Sequence, residues 1–144
     1  MNIQYRITKL DEVRYRFNFD YDYTSLDKEK VAFQFSHVID TDKERSEIIL
    51  EVHVKFVIDG TEEPLAEQAV RASFYVCPYD DVVREKNGNR IKINTPELMD
   101  TFANVTIGAL RGMIAKNLKG TALEGCILPL IPMDLLHNMI VGKE

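Results

Sequence analysis

An α+β fold, in which a four-stranded antiparallel sheet is covered by one long helix and a short C-terminal helix, is what the amino-acid sequence predicts. Three observations carry it. Four segments alternate apolar and polar residues with the two-residue period of β-strands. They precede one segment of helical period, bounded by Thr95-Pro96 and Lys119-Gly120. The chain then closes on the apolar, proline-punctuated stretch Ile127-Leu128-Pro129-Leu130-Ile131-Pro132-Met133. Such a stretch either covers the protein's own core or offers apolar surface to another molecule, and that choice decides the function.

Val13, Tyr15, Phe17, Phe19, Tyr21 and Tyr23 alternate with Arg14, Arg16, Asn18, Asp20 and Asp22, which predicts a first strand with one wet face from 13 to 23. The shorter alternation Ile3-Gln4-Tyr5-Arg6-Ile7 reads as the start of the same strand, interrupted near Leu10-Asp11-Glu12 by a kink or bulge. A second run, Val31 to Ile39, places Val31, Phe33, Phe35 and Ile39 on one side and Gln34 and Ser36 on the other. His37 falls on the apolar side, where a structural role is expected rather than a ligand role. In the third run Ile48, Leu50, Val52, Val54, Phe56 and Ile58 share one face against Glu47, Glu51, His53 and Lys55, so that face must be covered. The turn chemistry of Asp59-Gly60-Thr61-Glu62-Glu63-Pro64 separates it from the fourth run, Leu65 to Val76. There Val70, Ala72, Phe74 and Val76 oppose Glu67, Arg71 and Ser73. Successive hairpin-like connections predict antiparallel pairing.

After a polar loop containing Asn87-Gly88-Asn89, the helix start is marked by Thr95 as N-cap, Pro96 at the first position and Glu97 in the first turn. The helix is expected to run to Asn117, with Lys119-Gly120-Thr121 ending it. Leu98, Phe102, Val105, Ala109 and Met113 form one apolar stripe, and Met99, Ala103, Leu110, Ile114 and Leu118 a second. A single stripe about 100° wide suffices to cover a sheet. Apolar residues on both sides therefore predict one side against the protein's own sheet and the other against a partner subunit. Met99, Ala103, Leu110 and Ile114 are the candidate subunit contact, with Gly108 and Gly112, one turn apart, permitting close backbone approach. Asp134 to Ile140 is expected to form the short second helix. No internal repeat or linker divides the chain, so residues 1–144 read as a single domain.

With 144 residues, 45% hydrophobic and 28% charged, the chain suits one domain with its own core. A net charge of -5 without any basic run argues against nucleic acid as partner. No stretch approaches the roughly 18 consecutive apolar residues of a membrane span, and Met1-Asn2-Ile3-Gln4-Tyr5-Arg6 lacks the apolar core of a secretory signal. A cytoplasmic location without membrane insertion is therefore expected. The two cysteines, Cys77 and Cys126, lack CxxC spacing and read as reduced thiols. His37, His53 and His137 are far apart with no nearby ligand at metal spacing, so no metal is expected. The pair Asp80-Asp81 has no obvious base partner, and neither enzyme activity nor a cofactor is expected.

The order of strands, long helix, proline-apolar crossover and short helix resembles the bacterial SecB export-chaperone family over nearly the whole chain. Glu47-Ile48-Ile49-Leu50-Glu51-Val52-His53-Val54 resembles that family's third strand, and Leu65-Ala66-Glu67, followed by Phe74, its fourth. Thr95-Pro96-Glu97-Leu98 and Arg111 match the start of the family's long helix and a basic residue within it. Lys119-Gly120-Thr121 is similar to the turn that ends that helix. Leu128-Pro129-Leu130-Ile131-Pro132-Met133-Asp134-Leu135-Leu136 is similar to the family's closing pattern of leucine, proline, an apolar residue, aspartate and leucine.

The resemblance implies a homotetramer, built as a dimer of dimers, that holds unfolded preproteins without ATP and passes them to the SecA motor for export. It implies a client groove whose crossover residues here are Leu128, Leu130, Ile131, Met133, Leu135 and Leu136 and whose sheet residues are Phe33, Phe35 and Phe74. The three phenylalanines read equally well as plain core. It further implies a motor-binding surface including Leu65, Glu67 and Asp11. The chain departs from the family where Tyr15 and Arg16 stand in place of a further acid, where Arg71-Ala72 replaces a glycine pair, and where Gly142-Lys143-Glu144 replaces an acidic tail. These departures favour an alternative: a SecB-like module that holds one dedicated partner, such as an antitoxin, or a small apolar ligand, without general holding activity. In either case Pro129 and Pro132 restrict the backbone of the groove's lip, so that less entropy is lost on binding.

Overall fold

The alternating runs resolve into four long strands, β1 (Gln4–Phe17), β2 (Ala32–Asp42), β3 (Glu47–Val57) and β4 (Ala66–Cys77), in a computed structural model that describes residues 2–86, 90–93 and 95–130. They form one antiparallel sheet in the order β1-β4-β3-β2. The hairpins β2-β3 and β3-β4 match the expected connections. The first connection does not: β1 pairs with β4, and the chain crosses to the opposite edge before β2 begins.

Asp22 and Asp27 cause that crossing. Each side chain accepts from the backbone N–H two residues on, Thr24 and Glu29, at 3.0 Å, and so caps a short 3-10 turn, Tyr23–Ser25 or Lys28–Lys30. Such local bonds compete with a strand ladder. The first strand therefore ends at Phe17 rather than Tyr23. The alternating aromatics beyond it build a ring cluster instead, with Phe17 4.8 Å from Phe19 and 5.4 Å from Tyr23, and Tyr21 4.9 Å from Tyr23. The expected interruption of β1 is present as two register shifts, between Ile7 and Lys9 and between Glu12 and Arg14, on either side of Leu10-Asp11.

After β4 a helical turn, α1 (Tyr79–Val82), leads into a two-stranded antiparallel hairpin, β5 (Val83–Lys86) and β6 (Arg90–Ile93), where the sequence predicts only a polar loop. Val82 and Val83 are buried and fasten the base of this hairpin to the core. The Asn87-Gly88 pair between the two strands is the strongest short hairpin signal a sequence carries.

The long helix, α2 (Pro96–Asn117), has the expected bounds, and Gly120 at φ 82° supplies the left-handed residue just beyond its end. It packs across β4 and β3 and reaches β1, while β2 lies beyond its main cover. Ile48, Leu50, Val52, Val54 and Phe56 of β3 and Val70, Ala72, Phe74 and Val76 of β4 meet Leu98, Met99, Phe102, Ala103, Ile107, Leu110 and Ile114 in one core. The subunit-contact assignment of Met99, Ala103, Leu110 and Ile114 is thereby corrected. All four are fully buried within a single chain, because the core face of α2 is centred on the second stripe and takes in only Leu98 and Phe102 of the first. Gly108 and Gly112 are exposed on the opposite side, beside exposed Val105 and half-buried Ala109 and Met113. Among the described residues no helix is long and apolar enough to cross a membrane. The short helix expected over Asp134 to Ile140 lies outside the described residues.

Candidate functional site

Because α2 is centred on β3 and β4, the inner row of the edge strand β2 is only partly covered. Phe33, Phe35, His37 and Ile39 are half-buried there, each in register with a fully buried partner on β3: Phe56, Val54, Val52 and Leu50. Phe33 meets Phe56 edge to face at 4.8 Å. The row thus has one side against the core and one side open. Burial pushes the His37 imidazole below its ordinary range, which keeps it neutral and compatible with apolar neighbours at physiological pH.

Beyond α2 the chain turns at Gly120 and Gly125, both at positive φ, and buries Leu123 and Leu128 in the core cluster. Arg111 donates from Nε to the Leu128 carbonyl oxygen at 3.3 Å and from Nη2 to that of Pro129 at 3.0 Å. Lys28 Nζ donates to the Glu124 carbonyl oxygen at 2.7 Å. These bonds pin the crossover over the protein. The closing stretch therefore splits by residue: Leu128 is 3% exposed, whereas Ile127 is 67% and Leu130 86% exposed. Leu128 covers the protein's own core, and its neighbours offer apolar surface.

The candidate client residues are accordingly not one set. Phe33 and Phe35 line the open edge row and Leu130 faces solvent, but Phe74 is 2% exposed and stacks on Phe102 at 4.0 Å and 8° between planes. Phe74 and Leu128 are core residues, which corrects their placement at a client surface. Ile131, Met133, Leu135 and Leu136 lie outside the described residues.

The residues matched to a motor-binding surface separate in the same way. Leu65 has no exposed surface, and Glu67, 8% exposed, lies between Arg14 and Arg16, whose Nη1 atoms approach its carboxylate at 3.6 and 3.7 Å. Leu65 is thus excluded from any docking surface. Asp11 is half-buried on β1 with Lys9 Nζ 3.5 Å from its carboxylate. Further along the same outer face, Glu51 accepts from Arg71 Nε at 2.9 Å and sits 2.6 Å from His53 Nε2. Burial alone raises the Glu51 carboxyl, but the His53 and Arg71 contacts together hold it below its ordinary range.

Sequence reasoning overlooks the free edge of the sheet. β1 is a 14-residue edge strand with Tyr5, Ile7, Leu10 and Val13 all exposed. Tyr5 packs edge-on to Phe102, and Tyr15 Oη donates to the Asn117 carbonyl oxygen at 3.2 Å, so β1 flanks α2 at both ends of the helix. Two bulges scramble the alternation of this strand, which hides its apolar residues from a simple face count.

No family model matches the chain, and no curated protein matches it in sequence. Among solved structures, it is similar to the Mycobacterium tuberculosis SecB-like chaperone Rv1957, solved in complex with a ChAD peptide from the Rv1956 HigA1 antitoxin. The TM-score is 0.55 at 15% identity, covering 89% of this chain and 88% of that one. A protein of unknown function from Streptococcus agalactiae covers 92% of this chain and 100% of its own at 11% identity, but its TM-score of 0.40 is too low to inform the fold. The chain has a SecB-like α+β fold.

Proposed function

We propose that this protein is a chaperone-like polypeptide-binding module that acts without ATP or catalysis, holding extended, unfolded segments against apolar surface. The observation that carries this reading is the open inner row of β2, Phe33, Phe35 and Ile39, on the side of the sheet where the pinned crossover presents solvent-facing Ile127 and Leu130. Exposed apolar side chains of an unfolded client would be buried there at about 25 cal/mol per Å². The unpaired rim of an edge strand can add main-chain hydrogen bonds to an extended segment. No nucleophile, metal or nucleotide is needed for such holding. Repetition of the site in a cytoplasmic homotetramer would add avidity for flexible clients. The exposed apolar residues of β1 and the Val105, Ala109 and Met113 side of α2 are the surfaces available for that assembly, and light scattering tests it.

General holding in support of export is one form of this function. Service to one dedicated partner is the other, and it is favoured by the antitoxin peptide bound to the structurally similar mycobacterial protein. Docking to SecA draws less support, since Leu65 is inaccessible and Glu67 is covered by two arginines. Aggregation assays on several unrelated denatured proteins separate the two forms. Suppression of most of them at stoichiometric protein supports general holding, and suppression of none, with tight binding of a single partner, supports the dedicated module.

A further inference from the structure

Among the described residues the four-stranded sheet has two free edges, β1 and β2, and they differ in kind. β1 is broken by two register shifts and carries Arg6, Lys9, Asp11, Glu12, Arg14 and Arg16, features that blunt an edge against strand pairing. β2 lacks both devices. Its register with β3 runs from Ala32 to Asp42 without a shift. Between Ala32 and Ile39 the only titratable side chain is His37, which burial keeps neutral at physiological pH.

The Val76 N–H donates to the Ser46 carbonyl oxygen at 2.9 Å, at one end of β3, and the Leu65 N–H to that of Phe56 at 2.7 Å, near the other end. In an antiparallel ladder the N–H and C=O of a residue point to one side, and the side alternates along the strand. Even-numbered residues of β3 therefore bond to β4, and odd-numbered ones to β2, where their partners are Ala32, Gln34, Ser36, Val38 and Asp40. Phe33, Phe35, His37 and Ile39 are left with their main-chain groups turned to the free edge. Their side chains form the half-buried inner row, whereas Gln34, Ser36, Val38 and Asp40 are exposed on the outer face. The same four residues thus offer a hydrogen-bonding rim and an apolar shelf. Donors and acceptors spaced along a strand are matched by another extended backbone rather than by a helix or a compact ligand.

We infer that β2 takes up a segment of unfolded polypeptide as a fifth strand, and that it selects segments whose apolar residues fall at every second position. A strand paired with β2 sets alternate side chains beside Phe33, Phe35 and Ile39 and the others beside Gln34, Ser36 and Asp40. The occupant rests on the polypeptide-holding reading; the order preference is additional to it, because apolar burial alone is non-directional and indifferent to residue order. A second copy of the chain has other surfaces to use, in the exposed apolar residues of β1 and the outer side of α2.

Labelled, end-blocked peptides of identical composition test this by fluorescence anisotropy, one with its apolar residues at every second position and one with them in a single block. The alternating peptide is expected to bind about tenfold more tightly. N-methylation of one alternate set of its amides abolishes binding and of the other set spares it; antiparallel docking makes the apolar positions the sensitive set. His37→Pro removes a donor from the rim and lowers binding of the alternating peptide to about the level of the block peptide, with circular dichroism checking that the variant is folded. In the unsubstituted protein, saturating alternating peptide slows amide hydrogen exchange at Phe35, His37 and Ile39 far more than at Ser36 and Val38. Equal binding of the two peptides, binding of neither, equal effects of both N-methyl sets, or unchanged binding by folded His37→Pro overturns the inference. So does a light-scattering mass that falls with His37→Pro, which makes a second copy the occupant of β2. Aggregation suppression on the same preparation reports separately on the holding reading. Suppression without a preference for alternation removes the added strand alone, and preference without suppression removes the holding activity alone.

Discussion

Arg111 reaches from the second half of α2 to donate to the carbonyl oxygen of Pro129 at 3.0 Å, and this contact fixes where the apolar crossover stops covering the core and starts facing solvent. Immediately before it Leu128 is buried; immediately after it Leu130 is open. The arginine satisfies two main-chain acceptors in a segment that lies outside any strand ladder.

Arg111→Gln removes most of this tether while keeping a long polar side chain. A loss of about 1 kcal/mol in unfolding free energy is expected, together with faster hydrogen exchange in peptides spanning 126–130 and unchanged exchange in β3. Exchange that is unaltered in the crossover would show that Leu128 alone holds it.

A second clasp joins three elements. Glu12 Oε2 accepts from Gln68 Nε2 at 2.8 Å and from Asn117 Nδ2 at 2.6 Å, tying the bulge of β1 to β4 and to the last turn of α2. Those two bonds, Gln68 first, and the nearby Lys116 charge hold the Glu12 carboxyl below its ordinary range against the opposing effect of burial. A folded-state value below the unfolded one means that the stabilisation is complete above the ordinary glutamate range and is lost as pH falls through the depressed value. Denaturant unfolding of the wild type and Glu12→Gln, stepped downward from about pH 5, is expected to show the wild type losing its advantage over the variant. A constant difference across that range would contradict the assignment.

Phe74 and Phe102 stack at 4.0 Å in the centre of the sheet–helix interface. Phe102→Ala is expected to cost about 3–5 kcal/mol, measured as a shift of the denaturant midpoint. Phe74→Leu is expected to lower stability without changing client binding per folded molecule. A selective loss of binding would return Phe74 to the client surface.

The strand runs, the bounds of α2 and the crossover were legible because each has a strong local cause: uninterrupted alternation in β3, Thr95-Pro96 at the helix start, Gly120 at its end. What was illegible has causes too. The aromatic alternation from 17 to 23 mimics a strand, but Asp22 and Asp27 turn the chain by bonds that no face count registers. The second stripe of α2 could be assigned to a partner only by assuming a narrow core, and the breadth of the β3-β4 surface is a tertiary property. Glu67 carries a negative charge in the sequence; only the register that brings Arg16 beside it shows that two arginines cover its carboxylate. Leu128 and Leu130 are two residues apart with the same side chain, and Arg111 decides which one is buried.

Leu130 isolates the client surface from the core. Leu130→Ser is expected to leave stability within about 0.5 kcal/mol, since an exposed side chain contributes little packing, and to weaken the suppression of client aggregation. A fall in stability of several kcal/mol would mean that Leu130 is packed in solution.

The most direct measurement is nuclear magnetic resonance of the protein titrated with a permanently unfolded, reduced client, following the Phe33 and Phe35 rings and the methyl groups of Ile39, Ile127 and Leu130. Saturable shifts concentrated on these five residues, with the buried Phe74 ring and Leu128 methyls comparatively unmoved, are the predicted result. No binding of any unfolded chain, or shifts confined to other surfaces, would contradict the assignment of the β2 and crossover face as a polypeptide-holding site.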